Sequence, residues 1–246
     1  MEKNFKRLAW TVGIVGGLSL FVLRFIESIN ISGYDRKKFI PSKDGLIVLY
    51  RHSSLVEPAV MPFLFFPAYL FSLKFVPLSA PDAKKYYRKW WFTPFRNICI
   101  PIERGNPFKG RGTLRLMMDT LKEGRILVLA PEGGRTFKGG EFKVIRDGEI
   151  KIIRPEEVDW KRDKKIIRRF QLGIGWLVLN TEAPVLPIWT EGGEKILPNK
   201  ISLFSSPNPL AGMRIKVGKP LKIEGDSPGE ITKKLEDIML RLGDEG

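Results

Sequence analysis

From residue 45 onward the chain alternates short apolar runs with longer stretches in which apolar residues recur every three or four positions. GLIVLY (45–50), RILVLA (125–130) and APVLPIW (183–189) are continuous apolar runs of strand length, the pattern of strands covered on both faces. SLKFVPL (72–78), NICIPI (97–102) and MRIKV (213–217) read as further strands. Helical spacing predicts helices over 55–66, 112–124 (ending at Gly124), 164–179 and 228–242. EFKVIRDGEIKII (141–153) reads as a hairpin, with alternating flanks around an Asp147-Gly148 turn. Strand and helix in alternation predict an α/β sandwich, a mostly parallel central sheet flanked by helices.

Two segments depart from that rhythm. After Lys3, Lys6 and Arg7 comes LAWTVGIVGGLSLFVL (8–23), without a charge. As a helix it reaches roughly 24 Å, short of a hydrocarbon core of about 30 Å unless Arg24 snorkels and lets Phe25 and Ile26 extend it. No small-x-small cleavage site follows, so a membrane anchor that spans or dips is expected, and a buried core helix is the alternative. The second segment, 58–77, is intensely apolar, yet Pro58, Pro62, Pro67 and Pro77 forbid one long helix. KKYYRKWWF (84–92) follows it, interleaving four cations with five aromatics, a composition suited to an anionic headgroup layer.

Charge supports that reading. Forty-two basic against 27 acidic residues leave +15, so the partners expected are anionic: lipid surfaces, phosphorylated small molecules or nucleic acid. Stacking aromatics with cations also suit single-stranded nucleic acid, but the neighbouring Phe, Leu and Met suit acyl chains better. A single cysteine, Cys99, excludes an internal disulfide, and with a single histidine, His52, no usual zinc site exists.

His52 follows a predicted buried strand and precedes a helix, where an open α/β sheet places its ligands. Glu57 stands five residues on, about 140° away on one helix, so the two meet only if His52 lies in the turn and Glu57 in the first helical turn. Ser54 as N-cap with Glu57 at N3 spells a capping box that allows this, and capping alone is the alternative role for Glu57. Two more strands end in charge: IPIERGNP (100–107) carries Glu103 and Arg104, and APEGGRTF (130–137) carries Glu132, Gly133 and Arg135. Converging, the three ends would offer an anionic substrate arginines beside a general base. Two tempting motifs fail. GDSPG (225–229) has Pro228 where a nucleophile elbow needs a backbone donor, so Ser227 reads as a helix N-cap. GNPFKGRGT (105–113) lacks the Gly-Lys-Ser/Thr of a phosphate loop.

As a set these blocks resemble the glycerolipid acyltransferase superfamily, and within it the 1-acylglycerol-3-phosphate (lysophosphatidate) acyltransferases. His52 to Glu57 is similar to that family's His-x-x-x-x-Asp block, Arg104 to the Arg closing its second block, and Ala130 to Arg135 to its Phe-Pro-Glu-Gly-Thr-Arg. VLPIW (185–189) resembles its fourth block, and ISGYDRKKFIP (31–41) the approach to its first strand. Glu57 stands where Asp is usual, Gly134 where Thr is usual and Ala130 where Phe is usual.

The resemblance implies a membrane-anchoring segment over 1–30 and an acyltransferase domain over 31–246, with a hairpin insertion at about 139–160. It implies O-acyl transfer from acyl-CoA or acyl carrier protein to lysophosphatidate, giving phosphatidate at the cytoplasmic face of the cell membrane, without metal or other cofactor and without nucleic acid. His52 is then the general base and Glu57 its partner, while Arg104, Glu132, Gly133 and Arg135 bind the acceptor. The other readings are an acyltransferase for a glycolipid, amino lipid or another lysophospholipid, and a non-enzymatic basic lipid- or nucleic-acid-binding protein.

Overall fold

In the computed structural model the described residues are 2–25, 28–66, 68, 72–103, 107–137, 140–159, 163, 165–197, 208 and 210–245. Along the chain they form α1 (Glu2–Phe25), β1 (Ile29–Ser32), β2 (Leu46–Tyr50), α2 (Glu57–Val60), β3 (Pro77–Ser79), α3 (Pro107–Lys122), β4 (Ile126–Leu129), β5 (Phe142–Arg146), β6 (Glu149–Ile153), β7 (Ile166–Arg168), α4 (Gly173–Thr181), β8 (Val185–Glu191), α5 (Gly193–Ile196), β9 (Met213–Val217) and α6 (Pro228–Asp244). Six strands make one sheet in the order β1-β9-β8-β2-β4-β3, parallel at every pairing except β8 with β9. The expected α/β architecture with a mostly parallel sheet is present.

Both faces of that sheet are covered, which is why β2 and β4 are apolar at every position and β8 over its first five. Ile47 and Leu49 of β2 pack with Leu127, Met117, Leu121, Ile174, Leu177, Leu235 and Met239, the side closed by α3, α4 and α6. Leu46, Val48 and Tyr50 face the other way, onto Met61, Leu64, Phe65, Ala9 and Leu20. A second, antiparallel sheet in the order β6-β5-β7 is built from the predicted hairpin and one further strand. The hairpin turn is as the sequence implies, with Asp147 and Gly148 both left-handed at φ 55° and 81°.

Several elements differ from the sequence expectation. The helix expected over 164–179 begins only at Gly173, because Ile166 and Ile167 are buried in β7, which pairs with β5. The strand expected over 97–102 contributes only the isolated bridges Ser79↔Cys99 and Asp82↔Ile102. Pro94 and Pro101 offer no N–H to a ladder, and 90–98 winds as 3₁₀ instead. The apolar helix expected over 55–66 is the single turn α2 followed by 3₁₀ structure at 61–65 that contains Pro62. SLKFVPL supplies only β3 at its end, after a 3₁₀ turn at 73–75. α3 starts at Pro107, five residues before the expected 112, with Gly110 and Gly112 facing open space. β1 was not anticipated.

At the N-terminus α1 runs for 24 residues. Ala9, Gly13, Gly16, Gly17 and Leu20 line its buried side, where Gly16 lets Phe63 and Gly17 lets Phe66 come against the backbone. Trp10, Ile14, Leu18, Phe21 and Phe25 form an exposed apolar stripe at helical spacing on the opposite side. No helix among the described residues is long and apolar enough to cross a membrane.

At Gly175, α4 and α6 approach so closely that a Cβ would overlap Pro228 O and Thr232 Oγ1. Overpacking a rigid core of this kind typically costs about 1–3 kcal/mol. Gly175→Ala is therefore expected to lower the melting temperature clearly, whereas Gly112→Ala, into open space on α3, is expected to hold or raise it. Thermal melts of the two variants side by side check this.

Candidate active site

β2, β4 and β8 run parallel, so the segments leaving their C-terminal ends emerge at one edge. Leu49 pairs in register with Leu129, which sets the turn after β4, residues 130–135, beside Arg51 and His52. That register explains the central contact of the site. The Glu132 carboxylate, 0% exposed, accepts from His52 N through Oε1 (2.9 Å), from Thr136 Oγ1 through Oε1 (3.0 Å) and from Arg168 N through Oε2 (3.0 Å). Thr136 N donates back to His52 O at 2.7 Å, and Thr136 Oγ1, whose single proton serves Glu132 at the shorter distance, lies 3.2 Å from the same carbonyl. Burial pushes the Glu132 carboxyl above the usual range, opposed by the Arg51 charge and these donors.

Arg51 is buried as well, at 3% exposure. Its Nε donates to Ile166 O of β7 (2.9 Å) and its Nη1 to Thr190 O of β8 (2.8 Å), and its guanidinium lies 4.7 Å from the Trp189 ring centroid. One cation thus joins the main sheet to the small one directly beneath His52.

The Glu57 carboxylate is also 0% exposed and fully occupied. Oε1 accepts from Ser53 Oγ (2.7 Å) and Ser54 Oγ (2.9 Å), and Oε2 accepts from Ser54 N (2.7 Å). Oε2 also lies 3.4 Å from His52 Nδ1. Glu57 therefore closes the turn as a cap and touches the imidazole with the same oxygen. The hydroxyl half of the expected capping box is shifted, since Ser54 Oγ accepts from Val56 N rather than from Glu57 N. Burial opposes ionisation of Glu57, but hydrogen bonds from His52, Ser53 and Ser54 outweigh it and hold the carboxyl below the usual range. A neutral imidazole that donates from Nδ1 to that carboxylate has its lone pair on Nε2, which has no protein partner among the described residues. The imidazole is 15% exposed, so this nitrogen is reachable while its carboxylate is not.

His52, Glu57, Glu132, Gly133 and Arg135 thus gather at one sheet edge, while Arg104 lies outside the described residues. Gly133 holds the turn with φ 68°, a conformation that favours glycine, and a Cβ there would come 2.9 Å from Gln171 Cγ. Glu132, expected to meet the acceptor, has both oxygens turned inward, so its contact is with the site's backbone. Arg51, Thr136 and Arg168 were not singled out from the sequence. Only Arg51 left a signal, as a charge closing an otherwise buried strand. Among the described residues no group of three or more His, Cys, Asp or Glu could hold a metal ion.

A family model described as Acyltransferase matches residues 33–191. No curated protein matches the chain in sequence. Among solved structures, the fold is similar to the 1-acyl-sn-glycerophosphate (LPA) acyltransferase PlsC from Thermotoga maritima, with a TM-score of 0.53 and 17% identity over 99% of this chain and 97% of that one.

Glu57→Gln separates the two jobs of this carboxylate. An amide offers one acceptor oxygen, so donors at its nitrogen end lose their acceptor, and about 1–3 kcal/mol of stability is expected to be lost. This exceeds the fraction of a kilocalorie that a simple helix cap would give up. Because the folded carboxyl lies below its unfolded value, its stabilisation is whole at neutral pH and disappears as acid takes the pH down through the folded value. Melts of the parent protein should show that acid loss, and melts of Glu57→Gln should lack this component. Acyl transfer by the variant is expected to fall about 100- to 10,000-fold. Full activity in Glu57→Gln would leave the residue a cap alone.

Proposed function

The chain belongs to the acyltransferase family, and within it we propose that it moves a fatty acyl group from acyl-CoA or acyl carrier protein to lysophosphatidate, forming phosphatidate. The observation that carries this reading is the reachable His52 Nε2, backed through Nδ1 by a buried carboxylate at a sheet edge. The acceptor hydroxyl gives its proton to Nε2 as its oxygen attacks the thioester carbonyl. Glu57 holds the tautomer and balances the imidazolium. The tetrahedral intermediate collapses, the C–S bond breaks, and the departing thiolate takes the proton from Nε2. No acyl-enzyme is needed, since the Ser53 and Ser54 hydroxyls are bound to Glu57. In this reading Glu132 positions His52, and Gly133, Arg135 and Arg104 serve the acceptor, the arginines by pairing with its phosphate.

The same proposal places the enzyme on the membrane's cytoplasmic face, where those donors are found. The exposed stripe of α1 and the segment 90–98, which packs against it, would dip into the lipid surface. Trp90 is 84% exposed, and Lys84, Lys85, Arg88 and Lys89 accompany it.

Labelled acyl donor offered with lysophosphatidate, other lysophospholipids and neutral alcohols tests the reaction. His52→Ala is expected to lower turnover about 100- to 10,000-fold while leaving the fold intact. Product from neutral alcohols alone would overturn the acceptor assignment. For attachment, binding to anionic vesicles is expected to weaken with salt, as screening shortens from about 10 Å at 0.1 M to about 3 Å at 1 M. Equal binding to neutral and anionic vesicles would remove the electrostatic part.

A further inference from the structure

Two arginines near Arg168, Arg51 beneath His52 and the chain neighbour Arg169, have donors committed. Arg51 is bound to the Ile166 and Thr190 carbonyls, and Arg169 Nε to Glu236 Oε1 at 2.9 Å. Arg168 is different. Its backbone N–H is held by Glu132, the carboxylate that also holds His52 N. Its guanidinium makes no hydrogen bond or ion pair among the described residues, although the residue is half-buried.

Where that guanidinium lies can be read from two glycines. A Cβ at Gly134 would be 3.2 Å from Arg168 Nη1, and one at Gly140 would be 2.9 Å from its Nε and 3.4 Å from its Nη2. The planar fork therefore lies across the Gly134 face of the 130–135 turn. It carries five donors and no acceptor of its own, in a position shielded from much of the solvent. A half-buried cation of this kind gains most from an anion with two oxygens in one plane.

Gly134 stands where the resembling family has threonine, and the space that side chain would fill is the space against which Arg168 rests. Arg168 itself arrives on β7, the last strand of the small antiparallel sheet, with Phe142 of β5 as its register partner. A threonine hydroxyl is absent, and a guanidinium delivered by the small sheet borders the space that side chain would fill.

We propose that Arg168 is a phosphate ligand for the acceptor, supplied by the β5–β7 sheet and admitted by Gly134. The inference rests on the phosphate-bearing acceptor of the reading above. It makes the small sheet a determinant of specificity, since without β7 no guanidinium would reach this turn from that side.

The test compares Arg168→Met, Arg168→Lys and Gly134→Thr with the parent enzyme. Arg168→Met keeps the backbone donor to Glu132 and the apolar stem, so melts near those of the parent are expected. Its KM for lysophosphatidate is expected to rise about 10- to 100-fold with a much smaller change in kcat, the scale of losing a hydrogen-bonded charged pair. Glycerol 3-phosphate, used as a competitive probe of the headgroup alone, is expected to lose potency in parallel. Arg168→Lys restores charge without the fork and is expected to recover part of both losses. Gly134→Thr crowds Nη1 and is expected to resemble Arg168→Met. Unchanged KM and probe inhibition in Arg168→Met, or a fall in kcat alone, would overturn the role of Arg168 and leave the proposed reaction standing. A parent enzyme that neither acylates lysophosphatidate nor responds to glycerol 3-phosphate would remove both.

Discussion

The arrangement of the site depends on one carboxylate buried where no water reaches it. Glu132 ties the segment after β2, the turn after β4 and the end of β7 to a single group, through His52 N, Thr136 Oγ1 and Arg168 N. Burying a charge in an apolar core is costly unless its lone pairs are met, and removing one partner of such a group typically costs about 3–5 kcal/mol. The three donors must therefore stay where they are, and His52 stays with them. Arg51 supplies the opposite charge from the residue before His52, and spends its own donors on carbonyls of β7 and β8. The position of the imidazole is thus set by buried groups whose hydrogen bonds all turn inward.

Glu57 follows the same logic on the other side of the imidazole. A helix cap and a partner for an imidazolium are usually treated as rival explanations for a carboxylate at this spacing. Here Oε2 takes both Ser54 N and His52 Nδ1, because the turn that caps α2 is the turn that carries the histidine. The two serine hydroxyls on Oε1 restrain the longer side chain that glutamate brings where the family's block has aspartate. α5 closes in behind: a Cβ at Gly193 would stand 2.6 Å from Glu57 Oε1 and 2.5 Å from Ser54 Oγ. An extra methylene is accommodated because a neighbour has no side chain.

What could be seen in the sequence was whatever local pattern determines. β2, β4 and β8 are legible because strands buried on both faces read as near-continuous apolar runs, β9 because Met213, Ile215 and Val217 alternate with Arg214 and Lys216, and α6 because Ser227 caps it by accepting from Glu230 N at 3.2 Å. The spacing of His52 and Glu57 was legible because one turn contains both. β7 was misread as helix because Ile166 and Ile167 owe their strand state to β5, more than twenty residues earlier, and nothing nearby records that pairing. Residues 97–102 look like a strand by composition, while the 3₁₀ winding that reaches Ile98 and the missing N–H of Pro101 leave only isolated bridges. Arg168 was invisible for the same reason as β7. Its distance in sequence from His52 and Glu132 carries no periodicity, and only the folded sheet brings them together.

The segment that places Arg168 shows how a small sheet can be fixed firmly enough to matter at the site. Three consecutive backbone N–H groups are taken by three different segments: Arg168 N by Glu132 Oε2 at 3.0 Å, Arg169 N by Glu141 O at 3.0 Å and Phe170 N by Glu236 Oε1 at 2.7 Å. Glu236 on α6 repeats the pattern of Glu132. It is 0% exposed, and it gathers Lys143 Nζ of β5 at 2.9 Å and Arg169 Nε at 2.9 Å besides that backbone donor. Two buried carboxylates, one from the main sheet's edge and one from the closing helix, thus grip residues 168 and 170. A side chain leaving a backbone held in this way loses little further freedom when it meets a ligand, so its donors act with less of the entropy penalty that a loop arginine incurs.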